Sequence, residues 1–306
     1  MAEAGPVPVL TLLLPERRRF AGQPLGDGAA KALARGDRLP DGEAGERAQL
    51  LRHFDLLPRG WPMAAITRAI DAEDAHLHTW LRADPAHVRP DMTGARVLAV
   101  GELGLSQDEA DELVAPLRPL FGDSGFPISA PSPSRWYLAL PREAKLPDFS
   151  PPEKVLGDDL FAHLPDGPEG RRWRALLNEA QILLHNHPLN ERRIEAGKPA
   201  VNSLCFWGAG RLPDRVSCRV PHVAAVEAGL AGLARLAGAN TDYGRDELLL
   251  DLRRERDWSV VATALVDALA THAGREVRLD FSDGTRWSLR SGQKWRFWRR
   301  PLAALA

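Results

Sequence analysis

The sequence predicts an α/β protein, with a mixed or mainly parallel sheet flanked by helices and a C-terminal antiparallel hairpin. Three patterns carry this reading. Residues 7–14 form a continuous apolar run, VPVLTLLL, as expected of a strand covered on both faces. Trp173, Leu176, Leu177, Ala180, Leu183 and Leu184 recur at helical spacing on one face. Residues 277–281 and 287–289 alternate around Asp283-Gly284, the signal of a tight hairpin.

In chain order, the opening strand ends at Pro15-Glu16-Arg17-Arg18-Arg19, and the Gly-, Asp- and Ala-rich stretch 22–45 is a loop with a short helix near 29–34. Ala64, Ile66, Ala69 and Ile70 have helical spacing, and 77–81 alternates as a half-buried strand. Residues 97–100 form another strand. Ser106 with Glu109 makes a capping box for a helix over 107–120, and 136–140 is a strand bounded by Pro141. Pro151-Pro152 and Pro165-Asp166-Gly167-Pro168 mark 147–170 as the linker, giving an N-terminal α/β region, 1–150, and a C-terminal one, 151–306. The helix around Trp173 stops near Asn186, because Pro188 drives His187 out of the helical basin. Asn190 then caps a short helix over 191–196, Gly197 supplies the left-handed residue after it, and a strand over 203–207 ends at Gly208-Ala209-Gly210. Helices over 223–236 and 260–272 flank a strand at 248–250, and after the hairpin 293–300 forms a short basic and aromatic strand.

The 306 residues carry 40 basic and 41 acidic side chains, a formal charge of −1, with 44% hydrophobic content. That balance argues against a nucleic-acid footprint over the whole chain. Only Lys31, Lys145, Lys154, Lys198 and Lys294 are lysine, so the basic residues are mainly arginine, a bias of composition rather than a mark of phosphate recognition. Two cysteines, Cys205 and Cys218, make neither a disulfide framework nor a zinc pattern and suit the cytoplasm. The eight-residue apolar run has no basic residue before it and falls far short of the ~20 residues that cross a bilayer, so no membrane insertion is expected.

Most catalytic motifs fail on spacing. After Gly208-Ala209-Gly210, the third glycine of a dinucleotide fingerprint would fall at Pro213. Gly197-Lys198 lacks the upstream glycine of a phosphate-binding loop, since Arg192 stands there. There is no His-Glu-x-x-His and no Gly-x-Ser-x-Gly. His76 and His78, on one strand face with Asp74 and His87, could gather a metal, although strand-face histidines more often bond at the surface.

The segment from His185 to Gly210 differs in density. His185, Asn186, His187, Asn190, Arg192, Arg193, Lys198, Asn202 and Ser203 crowd a helix end, a helix start and a strand end. Helix termini leave backbone groups without partners, and Arg192, Arg193 and Lys198 would compensate a bound phosphate or carboxylate. Spacing alone does not choose between that anion site and a plain helix cap with solvated arginines.

A resemblance bears on the choice. Asn178-Glu179-Ala180-Gln181, His185-Asn186-His187-Pro188-Leu189-Asn190, Arg193, Gly197, Pro199-Ala200-Val201-Asn202-Ser203 and Phe206-Trp207-Gly208-Ala209-Gly210, with Trp80-Leu81-Arg82-Ala83-Asp84-Pro85 and Arg135-Trp136-Tyr137 before them, resemble the proteobacterial RpfE-type regulatory protein family. More distantly, the order His-Pro-x-Asn, Arg, Gly, Pro-Ala-x-Asn, Gly-x-Gly resembles some 40 residues of archaeal-type cofactor-independent phosphoglycerate mutases, alkaline-phosphatase-like metalloenzymes. There Asn190, Arg193 and Asn202 would lie near the substrate. That class implies two metals held by carboxylates and histidines and a serine or threonine nucleophile. Its first carboxylate follows the opening strand in an Asp-Gly pair, whereas here Pro15 follows the strand and Asp27-Gly28 stands downstream. After Pro221 the histidines are His222 and His272, neither paired with aspartate.

The resulting expectation is a cytoplasmic binding or regulatory protein without a cofactor, whose partner is a small anionic metabolite. Arg192, Arg193 and Lys198 would clamp it, Asn190, Asn202 and Ser203 orient it, and His185 or His187 titrate against it. The alternative is an active phosphotransferase with a divalent metal such as manganese or zinc, drawn from Asp71, Asp74, His76, His78 and Asp84. A weaker alternative is single-stranded nucleic-acid contact through the basic C-terminal strand.

Overall fold

The computed structural model describes residues 8–92, 94–241, 247–271 and 275–305. Val7 of the expected opening strand and His272 of the expected last helix lie outside them. In chain order the elements are β1 (Val9–Leu14), α1 (Asp27–Arg35), β2 (Asp37–Arg38), α2 (Glu46–Leu51), β3 (Phe54–Leu57), α3 (Met63–Asp71), β4 (Thr79–Asp91), β5 (Gly94–Val100), α4 (Gln107–Val114), α5 (Leu117–Asp123), β6 (Ile128–Ser132) and β7 (Arg135–Leu140). Then follow α6 (Pro152–Val155), α7 (Gly167–His185), α8 (Pro188–Glu195), β8 (Ser203–Gly210), β9 (Arg215–Cys218), β10 (His222–Ala224), α9 (Ala228–Leu236), β11 (Leu248–Asp251), α10 (Trp258–Thr271), β12 (Glu276–Phe281) and β13 (Arg286–Arg290).

Contacts divide the chain into two compact units, 1–59 with 214–306, and 60–213. The division follows sheet membership rather than chain order, so it differs from the expected regions 1–150 and 151–306. In the first unit, one sheet runs β10-β11-β1-β12-β13-β2. Its first four strands are parallel, and β13 and β2 are antiparallel. Leu10, Leu12 and Leu14 of β1 pack in one core with Leu33 of α1 and with Trp258, Val261 and Leu265 of α10. β1 is central, which explains its unbroken apolar run. Gly284 turns the hairpin at φ +89, as Asp-Gly predicted.

In the second unit every strand pair is antiparallel. The thirteen-residue β4 pairs with β7 and then β5 along one edge and with β8 along the other. Leu81, Trp136, Leu138, Leu204 and Phe206 of the sheet form a core with Leu113 of α4, Phe121 of α5 and Trp173, Leu177 and Leu184 of α7.

Several expectations need correction. The stretch 147–170 is no linker: Val155 and Leu160 pack on Val88 and Val97, and Phe149 and Leu164 join the main core. The helix expected over 107–120 is two, α4 and α5, because Pro116 has no N–H to carry the first through. His76 and His78 precede β4 in a turn. The helix expected over 223–236 opens as strand β10, paired to β11, and turns helical only after Glu227 caps α9 through the N–H groups of Gly229 and Leu230. Residues 291–295 are a 3-10 helix rather than a strand.

Candidate functional site

α7 stops as expected, with Asn186 at its end and His187 extended at ψ 127. His187, not Asn190, then caps the next helix, its Nδ1 accepting from the Leu189 N–H at 3.2 Å, with Pro188 in the first turn. Asn190 lies inside α8 and is buried. Its amide donates to the carbonyls of Leu184 at 2.6 Å and Val201 at 2.9 Å, and its oxygen accepts the Val201 N–H at 2.8 Å. One side chain thus ties the end of α7 to the extended stretch just before β8. Asn202 does the same one step on, exchanging both hydrogen bonds with the backbone of Val88 on β4 at 2.8 and 2.7 Å.

Arg193 is only 1% exposed. Its guanidinium donates to the carbonyl of Leu103 at 2.7 Å, the carbonyl of Pro199 at 3.0 Å and Glu109 at 3.0 Å. Glu109 also closes the capping box of α4, accepting from the N–H of the capping residue Ser106 at 2.9 Å. Burial would raise its carboxyl, but the Ser106 N–H and the charges of Arg193 and Lys198 hold it below the ordinary value. Ser203 is buried and accepts from Gln181 of α7 at 2.9 Å. The donors expected of Arg193, Asn190 and Asn202 are therefore spent on the protein itself, and Ser203 is buried against Gln181. His185, Arg192 and Lys198 face solvent, with Arg192 paired to Glu112 at 2.6 Å and Lys198 3.8 Å from Glu109. The segment is a brace between α4, α7 and β8. The pocket beside Ser203, lined by Val88, Trp173, Cys205 and Phe206, offers about 40 Å³. A metabolite needs roughly 300 Å³ or more. Burial pushes the Cys205 thiol there well above its usual range.

The glycines of the Gly208-Ala209-Gly210 sequence serve packing. Gly208 has φ +68, and a Cβ there would lie 3.2 Å from Ala64 N, while one on Gly210 would meet Pro62 at 2.5 Å. They let β8 run close under the start of α3.

The carboxylates offered to a metal are also taken. Asp74 binds Arg68 through both oxygens at 2.7 Å, Asp71 binds Arg135 and Tyr137, and Asp84, fully buried, binds Arg82 and the Trp207 indole. His87 Nδ1 bonds the Ala200 carbonyl. Among the described residues no group of three or more His, Cys, Asp or Glu is arranged to hold a metal ion.

In a parallel sheet, ligands collect beyond the carboxyl ends of the strands. At that edge β11 ends in Asp251, and Glu227 follows β10. Both point at one cation. Arg253 donates to Asp251 at 2.8 and 3.0 Å and to Glu227 at 3.5 Å, and its guanidinium lies 3.6 Å from Glu46. The two carboxylates also accept backbone groups: Asp251 accepts the N–H groups of Arg253 and Glu227, and Glu227 those of Gly229 and Leu230. Burial would raise the Asp251 carboxyl, but Arg253 holds it below its usual value, and Arg253 is raised in turn. Sequence reading missed this cluster because its members are 46, 227, 251 and 253, joined only by the sheet.

No family model matches the chain. It is distantly similar to cofactor-independent phosphoglycerate mutases. A protein described as a probable 2,3-bisphosphoglycerate-independent phosphoglycerate mutase, from Geobacter sulfurreducens, is 32% identical over 114 residues, 37% of this chain and 28% of that one. The enzyme from Methanosarcina barkeri is 41% identical over 66 residues, 22% of this chain and 17% of its own. The matched stretches thus span under a third of the length of either relative. Among solved structures, a cofactor-independent phosphoglycerate mutase from Thermoplasma acidophilum aligns over 94% of this chain and 90% of its own, at 14% identity and a TM-score of 0.40. The PH0037 protein of Pyrococcus horikoshii aligns over 92% and 87%, at 14% identity and 0.43. No described helix is long and apolar enough to cross a membrane.

Proposed function

We propose that this mutase-like chain acts by binding a small phosphorylated or carboxylated metabolite, in a regulatory role, and not by two-metal phosphoryl transfer. The observation that carries the reading is Arg253. At the edge where a metal pair would need free carboxylate oxygens, Asp251 and Glu227 direct theirs at a guanidinium and at backbone N–H groups. A side-chain cation cannot exchange for substrate oxygens as a metal ion can, so these residues do not fit the two-metal chemistry. Similarity to phosphoglycerate mutases supports the ligand class, and the RpfE-type resemblance supports the regulatory role. On this reading the available donors are His185, Arg192 and Lys198, held by the brace of Asn190, Arg193, Asn202 and Ser203.

Mass-spectrometric metal analysis of the purified protein, phosphoglycerate mutase and phosphatase assays with added manganese or zinc, and calorimetry with 3-phosphoglycerate test it together. The expected outcome is no stoichiometric metal, no turnover, and binding heat that falls in an Arg192→Ala/Lys198→Ala variant. Stoichiometric metal with turnover would establish the phosphotransferase instead. Absence of any heat with phosphoglycerates would remove the ligand assignment.

A further inference from the structure

The end of the first unit carries a feature unrelated to the metabolite reading. After the 3-10 helix Ser291–Trp295, Arg296 donates to the carbonyl of Arg35 at 2.8 Å and pairs with Asp37, and Arg299 donates to the carbonyl of Gly36 at 2.8 Å. These two arginines, three apart, pin the segment to the end of α1. The aromatic residues between and beside them are turned outward: Trp295 is 70%, Phe297 77% and Trp298 69% exposed. Three large aromatics held in water by inward arginines need a reason, since burying them would release roughly 25 cal/mol for each Å².

Beside them runs a cleft of about 550 Å³ whose lining includes Lys31, Arg35, Arg290 and Lys294 and no acidic residue, over an apolar wall that includes Val266 and Leu269. Lys31 and Arg290 also pair with Asp27 and Glu276, which lie outside the lining. Lys294 joins the two features, because its ammonium lies 5.7 Å over the Trp295 ring. A formal charge of −1 over the whole chain conceals this local excess of cations.

We propose that this face binds single-stranded nucleic acid, with phosphates following the cleft and bases stacking on Trp295, Phe297 and Trp298. A cationic groove that meets the exposed Trp295 through Lys294 supplies both terms of sequence-tolerant strand binding. The concavity favours a strand over a bilayer, since a planar lipid surface covers the aromatics but leaves the four cations of the cleft unfilled.

Fluorescence anisotropy of a labelled 20-residue oligothymidylate, titrated with the full chain, tests this. Binding is expected at 50 mM salt and should weaken roughly 50-fold by 200 mM if four phosphates are neutralised. Trp295→Ala/Trp298→Ala should weaken it by about 10-fold or more, from the stacking lost. Lys31→Glu/Lys294→Glu should both weaken it and flatten its salt dependence. No binding at 50 mM salt would overturn the proposal, as would an affinity that neither pair of substitutions changes. So would aromatic-dependent sedimentation with phosphatidylserine vesicles in the absence of oligonucleotide binding.

Discussion

Arg193 and Arg192 are adjacent in sequence and opposite in consequence. Both carry the charge that suits an anion, but Arg193 is enclosed by two carbonyls and Glu109, whereas Arg192 reaches Glu112 across solvent. Removing a buried, fully bonded guanidinium strands its acceptors, so Arg193→Ala is expected to cost about 3 kcal/mol of stability, read from urea unfolding. Arg192→Ala should stay within about 0.5 kcal/mol, as exposed pairs do. Asn190→Ala breaks three hydrogen bonds at the α7–β8 junction and should cost about 2 kcal/mol by the same measurement. If Arg193→Ala unfolded at the wild-type urea midpoint, the brace would be misassigned.

Helix and strand ends concentrate the electrostatics. α4 begins with the capping box that Ser106 and Glu109 announced, and Ser106→Ala should cost about 1 kcal/mol. At the start of β12, Glu276 is opposed by burial but held down at about 2 by Arg278, Arg290 and Ser288, two of them on β13. A carboxylate whose folded value lies below its unfolded value of roughly 4.3 stabilises the native state above that range. Its contribution is lost as pH falls from about 4.5 toward 2. Thermal melts across this window should therefore show a decline in the melting temperature that Glu276→Gln makes shallower.

At the scale of the whole molecule, sheet membership divides the chain. The main core of the second unit is built from residues of that unit alone, and each strand of its sheet pairs with another strand inside 60–213. The first unit needs both ends, because β1 lies between β11 and β12. A fragment of residues 60–213 is expected to fold alone, with cooperative thermal unfolding by circular dichroism, while 1–59 alone stays unfolded. A non-cooperative melt of the larger fragment would refute that independence.

Local periodicity and turn chemistry were enough to specify β1, α7, the capping box, the Gly284 hairpin and the α/β class, because each is decided by neighbours a few residues apart. Tertiary structure alone decided that Arg193 braces instead of binds, that 147–170 is core, and that Arg253 fills the carboxylates beyond β10 and β11. Those outcomes depend on which side chains meet at a buried acceptor, and folding joins residues far apart in the chain: Val9 and Glu276, 267 positions apart, are paired in the sheet, and Glu46 meets Arg253 across 207. No spacing rule along a chain measures that distance.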